Sequence, residues 1–156
     1  MYKRDITNII SRRLQESRRF VQVITGPRQV GKTTAIQQVL AALNIPAHYA
    51  AADLPAPPAT EWIAQQWELA RMRCQAKAPA VLVLDEVQRI SHWSLEVKRL
   101  WDEDARRKLP LHVVILGSSA LLVHRGLEDS LAGRFEVIRC PQWSWTECRD
   151  AFGWSL

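Results

Sequence analysis

No apolar run in this sequence approaches the ~20 residues needed to cross a bilayer. The opening stretch, MYKRDITNIISRRLQESRRF, is charged throughout and lacks the continuous apolar centre of a secretory leader. These two absences predict a cytoplasmic protein with no membrane contact. Cysteine is also scarce: Cys74, Cys140 and Cys148 are odd in number, widely spaced and include no CxxC pair. Neither a disulfide framework nor a zinc site is indicated. Cys74 falls on the apolar stripe of a predicted helix and reads as a small core residue. There is no internal repeat and no low-complexity tract. What remains, 47% apolar and 24% charged residues over 156 positions, is the composition of one ordinary globular domain.

The net charge of +5 is unevenly placed. Residues 1–19 hold six basic side chains (Lys3, Arg4, Arg12, Arg13, Arg18 and Arg19) against Asp5 and Glu16, so +4 of it lies there. A basic leading segment is able to touch nucleic acid or an acidic partner. No aromatic residues interleave with the arginines to stack bases, so the expected contact is weak, and the wet face of a helix is the plainer reading.

Periodicity organises the rest. Ile6, Ile9, Ile10 and Leu14 recur at helical spacing, so residues 1–19 are expected to form an amphipathic helix packed on a core spanning 20–140. FVQVIT is a strand, stopped by Gly26-Pro27. A helix follows from Gly31, with Ile36, Val39, Leu40 and Leu43 on one stripe, closed by Asn44 and Pro46. A strand over His48–Ala52 leads into the proline-rich loop LPAPPA. Thr60 is placed to cap a helix whose buried side is Ile63, Trp67, Ala70 and Cys74. AVLVLD and LHVVILG are continuous apolar runs, the pattern of strands covered on both faces. Between them a helix over Trp93–Lys108 turns Trp93, Val97, Leu100 and Trp101 inward. A short helix is expected over Ser119–Arg125, and FEVIR is the last strand. This alternation predicts right-handed crossovers and a three-layer α/β sandwich. The tail PQWSWTECRDAFGWSL has three tryptophans and no obvious closing element, so residues 141–156 read as the start of a C-terminal region that is missing here.

One segment carries chemistry. Gly26-Pro27-Arg28-Gln29-Val30-Gly31-Lys32-Thr33 fits G-x-x-x-x-G-K-[ST], the P-loop or Walker A motif, after a strand and before a helix. Its glycines let backbone N–H groups converge on phosphate oxygens, and the helix adds its positive N-terminal end. Lys32 reaches the β- and γ-phosphates, and Thr33 is placed to ligate Mg²⁺. Thr34 either reaches the α-phosphate or is an ordinary first-turn threonine. Val81-Leu82-Val83-Leu84-Asp85-Glu86 is the matching Walker B strand: Asp85 supports the Mg²⁺ through water, and Glu86 orients or deprotonates an attacking water. Gly117-Ser118-Ser119 ends the next strand. Ser118 or Ser119 either senses the γ-phosphate or, in the case of Ser119, caps the following helix.

GPRQVGKTT, LDEVQ followed by Trp93, GSSALL and SLAGR together resemble the prokaryotic AAA+-type P-loop ATPases that carry a C-terminal domain of unknown function. The resemblance implies a five-stranded parallel sheet of order 5-1-4-3-2, with Mg²⁺ and ATP as cofactors and hydrolysis of the γ-phosphate driving a conformational change in a larger protein. Gly31, Lys32 and Thr33 would bind phosphate and metal, Asp85 would support Mg²⁺, Glu86 would activate water, and Ser118 or Ser119 would be the sensor. Arg134, in SLAGR, has the location of an arginine that reaches a neighbouring subunit's ATP in a homo-oligomer; the alternative is a local pair with Glu128 or Asp129. The sequence departs from the family in lacking its second half and in having PQWSWTE where a proline-leucine-serine run is usual. An ATP-dependent switch with negligible turnover therefore stands beside the ATPase, with a small-molecule kinase behind both.

Overall fold

The computed structural model describes residues 2–118 and 131–153. Five strands, β1 (Val21–Thr25), β2 (Ala47–Ala51), β3 (Ala80–Asp85), β4 (Leu111–Gly117) and β5 (Phe135–Arg139), form one all-parallel sheet ordered β2-β3-β4-β1-β5. Read from the other edge this is the expected 5-1-4-3-2. The helices are α1 (Ile6–Gln15), α2 (Lys32–Leu43), α3 (Glu61–Arg71), α4 (Trp93–Arg107) and α5 (Trp145–Phe152).

Every residue of β1 and β4 is buried, because helices cover both faces of the central strands. Successive side chains alternate between two cores. On one face Leu82, Leu84, Val113 and Ile115 pack with Trp67 of α3 and with Trp93, Val97 and Trp101 of α4. On the other, Val81, Val83, Val114 and Leu116 pack with Ile10 and Leu14 of α1 and Ile36 and Val39 of α2. The predicted strand edges hold to within a residue or so, since apolar runs mark them directly.

Four local expectations change. Ile9 is 41% exposed, and Thr7 takes the inward position instead, donating its hydroxyl to the Arg4 carbonyl at 2.7 Å. Thr60 precedes α3 but makes no capping bond; its hydroxyl donates to the Ser91 carbonyl. Cys74 is buried as expected, although α3 ends at Arg71. The tail, which offered no visible closing element, folds into α5. The Ser144 hydroxyl accepts from the Glu147 amide while the Glu147 carboxylate accepts from the Ser144 amide. That capping box was written in the sequence as S-x-x-E and was the missed signal. The helix expected over Ser119–Arg125 lies outside the described residues.

Candidate nucleotide site

The carboxyl ends of β1, β3 and β4 meet at one edge of the sheet. Thr25 stands level with Gly117, and Asp85 with Leu116, so β1, β4 and β3 deliver the phosphate loop, Ser118 and the acid pair side by side. The loop of residues 26–31 turns from β1 into α2. Its two glycines serve different ends. A Cβ on Gly26 would lie 2.0 Å from the Cys140 carbonyl oxygen, so glycine there permits the backbone that leaves β5 to close against the loop. Gly31 has open space around it but φ of +92°, a conformation that favours glycine. Gln29, at φ +61°, bends the loop as well.

Lys32 turns back under this loop and donates to the carbonyls of Gly26 and Pro27, both at 2.8 Å. Its ammonium has three protons, so two bonds leave one for another acceptor. Val30 buries its side chain in the core, while Gly26 and Pro27 contribute backbone; the Arg28, Gln29, Gly31, Lys32, Thr33 and Thr34 positions line an open cleft of about 380 Å³ together with Asp85 and Glu86. The N-terminus of α2 opens onto this cleft, adding unpaired N–H groups and the positive end of its dipole.

Asp85 ends β3, and Glu86 leaves it in a left-handed conformation at φ +56°, its amide held by the Leu116 carbonyl at 3.0 Å. A non-glycine residue in that region is a strained element at a strand end, and here it turns the second carboxylate into the cleft. Burial pushes the Asp85 carboxyl above its ordinary range; the Tyr49 phenol opposes this, and the charges of Glu86 and Asp53 add to it. Tyr49 donates to Asp85 Oδ2 at 2.5 Å. Glu86 in turn accepts a hydrogen bond from the Gln88 side-chain amide. An adjoining cleft of about 560 Å³ is lined by Arg28, Asp53, Asp85, Glu86 and Arg89.

Among the described residues no three metal-ligating side chains cluster. A hydroxyl and one crowded carboxylate, completed by water and phosphate oxygens, are nonetheless a donor set that suits Mg²⁺, which keeps several waters and demands few protein ligands. The raised Asp85 carboxyl is relieved by any cation arriving there, so the residues fit the ion.

A smaller, mostly apolar cleft of about 230 Å³ shares Gly31 and Thr34 with the phosphate cleft and is walled by Tyr2, Trp143 and Phe152. The three rings pack in sequence, with centroids 5.8 and 5.3 Å apart. None of these aromatic residues was singled out in the sequence as part of a site, because they come from opposite ends of the chain. Tyr49, Asp53, Gln88 and Arg89 were also missed: no motif spacing links them to the loop.

The remaining expectations are placed as follows. Ser118 follows β4, half-buried, between the loop and Asp85. Ser119, Glu128 and Asp129 lie outside the described residues. Arg134 precedes β5 at the amino end of the sheet, roughly 20 Å from the loop by strand rise. Its local partner is Asp102, which accepts from Nε at 2.7 Å and from Nη2 at 3.0 Å. Of the six basic residues near the start, Arg4 is buried, Arg13 pairs with Glu136, and Arg18 stacks 3.3 Å over Trp101 while donating to two carbonyls. Only Lys3, Arg12 and Arg19 remain as exposed cations, a reduced surface for nucleic acid. No described helix is long and apolar enough to cross a membrane.

No curated protein matches this chain. A family model described as an AAA domain matches residues 18–149, from just before β1 into α5. With the parallel sheet, its strand order and the loop entering α2, that match makes this chain a member of the AAA domain family of nucleotide-binding P-loop proteins.

Proposed function

We propose that the chain binds ATP with Mg²⁺ in the cleft between the loop and Asp85, and hydrolyses the γ-phosphate to drive a conformational change in a larger protein. The observation that carries this reading is the convergence of Lys32, Thr33, Asp85 and Glu86 on one cleft. In it the loop amides and the free Lys32 proton hold phosphate oxygens, while Thr33 and Asp85 hold the metal, Asp85 through water. Bound there, Mg²⁺ would neutralise phosphate charge. Glu86 takes the proton of the attacking water, and Ser118 aligns that water or senses the γ-phosphate. Thr34 sits where the phosphate cleft passes into the aromatic one, and the base stacks on the wall of Tyr2, Trp143 and Phe152. Arg134 acts in trans in a homo-oligomer, exchanging Asp102 for a neighbour's phosphate.

A switch that binds ATP but turns it over negligibly is the second reading, favoured by the Gln88 hydrogen bond that occupies Glu86. Calorimetry and phosphate release on the parent, Lys32→Ala and Glu86→Gln separate the two. Lys32→Ala should weaken Mg-ATP by about a hundredfold or more, since it removes a charge-assisted contact to the phosphates. Glu86→Gln should bind like the parent while phosphate release falls at least about a hundredfold. Undiminished affinity in Lys32→Ala rejects the site. Binding without release in the parent selects the switch.

A further inference from the structure

Arg4 is the most heavily bonded side chain described in the molecule, and the nucleotide reading gives it no task. It lies just ahead of α1 and is only 6% exposed. Nε and Nη2 grip the two carboxylate oxygens of Glu147 at 2.9 and 3.0 Å. Nη1 donates to the Val30 carbonyl at 2.7 Å and to Cys140 Sγ at 3.3 Å, and Nη2 also donates to the Pro141 carbonyl at 3.0 Å. The Arg4 guanidinium carbon lies 5.0 Å from the centroid of the Trp143 ring. All five donors are used. One cation therefore joins the phosphate loop, the chain leaving β5 and the last helix. The Arg4 bond holds the Glu147 carboxyl at about 2, well below the usual carboxylate range.

The contact with Val30 matters because of where that carbonyl sits. Val30 lies between Gln29 at φ +61° and Gly31 at φ +92°, in a stretch held by neither helix nor sheet. The peptide bonds are trans, so the Val30 carbonyl and the Gly31 N–H of one peptide unit point in opposite directions. With the carbonyl pinned inward on buried Arg4, the Gly31 amide faces the other way. Gly31 separates the two clefts, lining the phosphate cleft on one side and, with Arg4, the aromatic cleft on the other. If that peptide turned over, a carbonyl oxygen would face the phosphates in place of a donor, and anion-binding loops of this kind depend on every amide facing inward.

We propose that Arg4 is a positioning residue that locks the Val30–Gly31 peptide with its amide toward the phosphates, and that Glu147 and Trp143 make the placement of α5 part of the same lock. This rests on the nucleotide reading. Phosphate affinity and α5 order are then linked, and the linkage is reciprocal.

The test uses Glu147→Gln, which keeps the helix cap but loses the ionic grip, and Arg4→Lys, whose single ammonium cannot serve Val30 and Glu147 together. Arg13→Ala, which breaks the Arg13–Glu136 pair at the other end of the sheet, controls for general loss of stability. Calorimetry with Mg-ATP and with Mg-tripolyphosphate separates loop from base effects. Both lock variants, still folded by circular dichroism, should bind both ligands about 5-fold or more weakly, while Arg13→Ala binds as the parent does. Hydrogen exchange across α5 should slow when the parent takes up Mg-tripolyphosphate, and the slowing should shrink in Arg4→Lys. Parent-like affinity in both folded variants, or α5 exchange indifferent to the ligand, overturns the lock and leaves the nucleotide reading standing. Weakening of Mg-ATP alone likewise rejects the lock, since it places the effect at the base. A parent that binds neither ligand overturns both.

Discussion

At the carboxyl ends of the strands, Asp53, Asp85 and Glu86 gather, and among the described residues none of them makes an ion pair; Asp85 and Glu86 accept instead from the neutral side chains of Tyr49 and Gln88. Charge at the amino ends is treated the other way. Arg134 is forked onto Asp102, Arg13 onto Glu136, and fully buried Asp104 accepts from both Trp67 Nε1 and Arg71 Nε at 2.8 Å. Arg18, cased between Trp101 and two carbonyls, is lowered to about 10 by burial. The same sheet thus has one end where charges are paired by the fold and one where three carboxylates crowd in open clefts beside Arg28, Lys32 and Arg89 without forming an ion pair. Crowding of that sort costs stability and is the mark of a binding end.

The contrast can be broken most forcefully at Asp104. Asp104→Ala leaves Arg71 and the Trp67 N–H without their acceptor in the core, and should destabilise the protein by about 3–5 kcal/mol, read from denaturant unfolding. A cost near zero would mean that the amino end is no better satisfied than the other. Arg134 is the next lever, because it alone at the closed end has a proposed task elsewhere. In Arg134→Ala, phosphate release should fall several-fold at protein concentrations where the chain self-associates and stay unchanged under dilution. A loss independent of concentration assigns Arg134 to the Asp102 pair only. The smallest effect is expected at Asp85. Its carboxyl is raised in the folded state, so above that pKa the charged form works against folding. Asp85→Asn should therefore lift the melting temperature at neutral pH by roughly 1–3 °C while impairing Mg²⁺-dependent binding. A fall in melting temperature would erase the difference between the two ends.

How much of this was legible follows from how far apart the cooperating residues lie along the chain. Gly31, Lys32 and Thr33 stand in a fixed local spacing dictated by one phosphate group, and Asp85-Glu86 stand at the end of a run too apolar to be anything but an interior strand. Both are readable without coordinates. Gln88 lies two residues from Glu86, inside the LDEVQ run, and was given no role, since nothing local shows that its side-chain amide reaches back to Glu86. Tyr49 depends on β2 pairing with β3, which brings Ala51 level with Asp85 and puts the phenol within reach of that carboxylate. The basic leader misled for a related reason: composition counts charges but does not say which of them the fold consumes. Arg4 looked like one of six surface cations and is instead among the most enclosed polar groups in the domain.

From its residues alone, this protein was bound to form alternating buried strands and helices with a phosphate loop between the first pair, because period, turn chemistry and motif spacing are all local properties of the chain. The partnerships were another matter. That Gly26 must be glycine to admit Cys140, that Arg134 lies on Asp102, and that Arg4 ties Val30 to Glu147 were decided only when distant segments packed. A buried charge or a close backbone approach is defined by its surroundings, and those surroundings exist only in three dimensions.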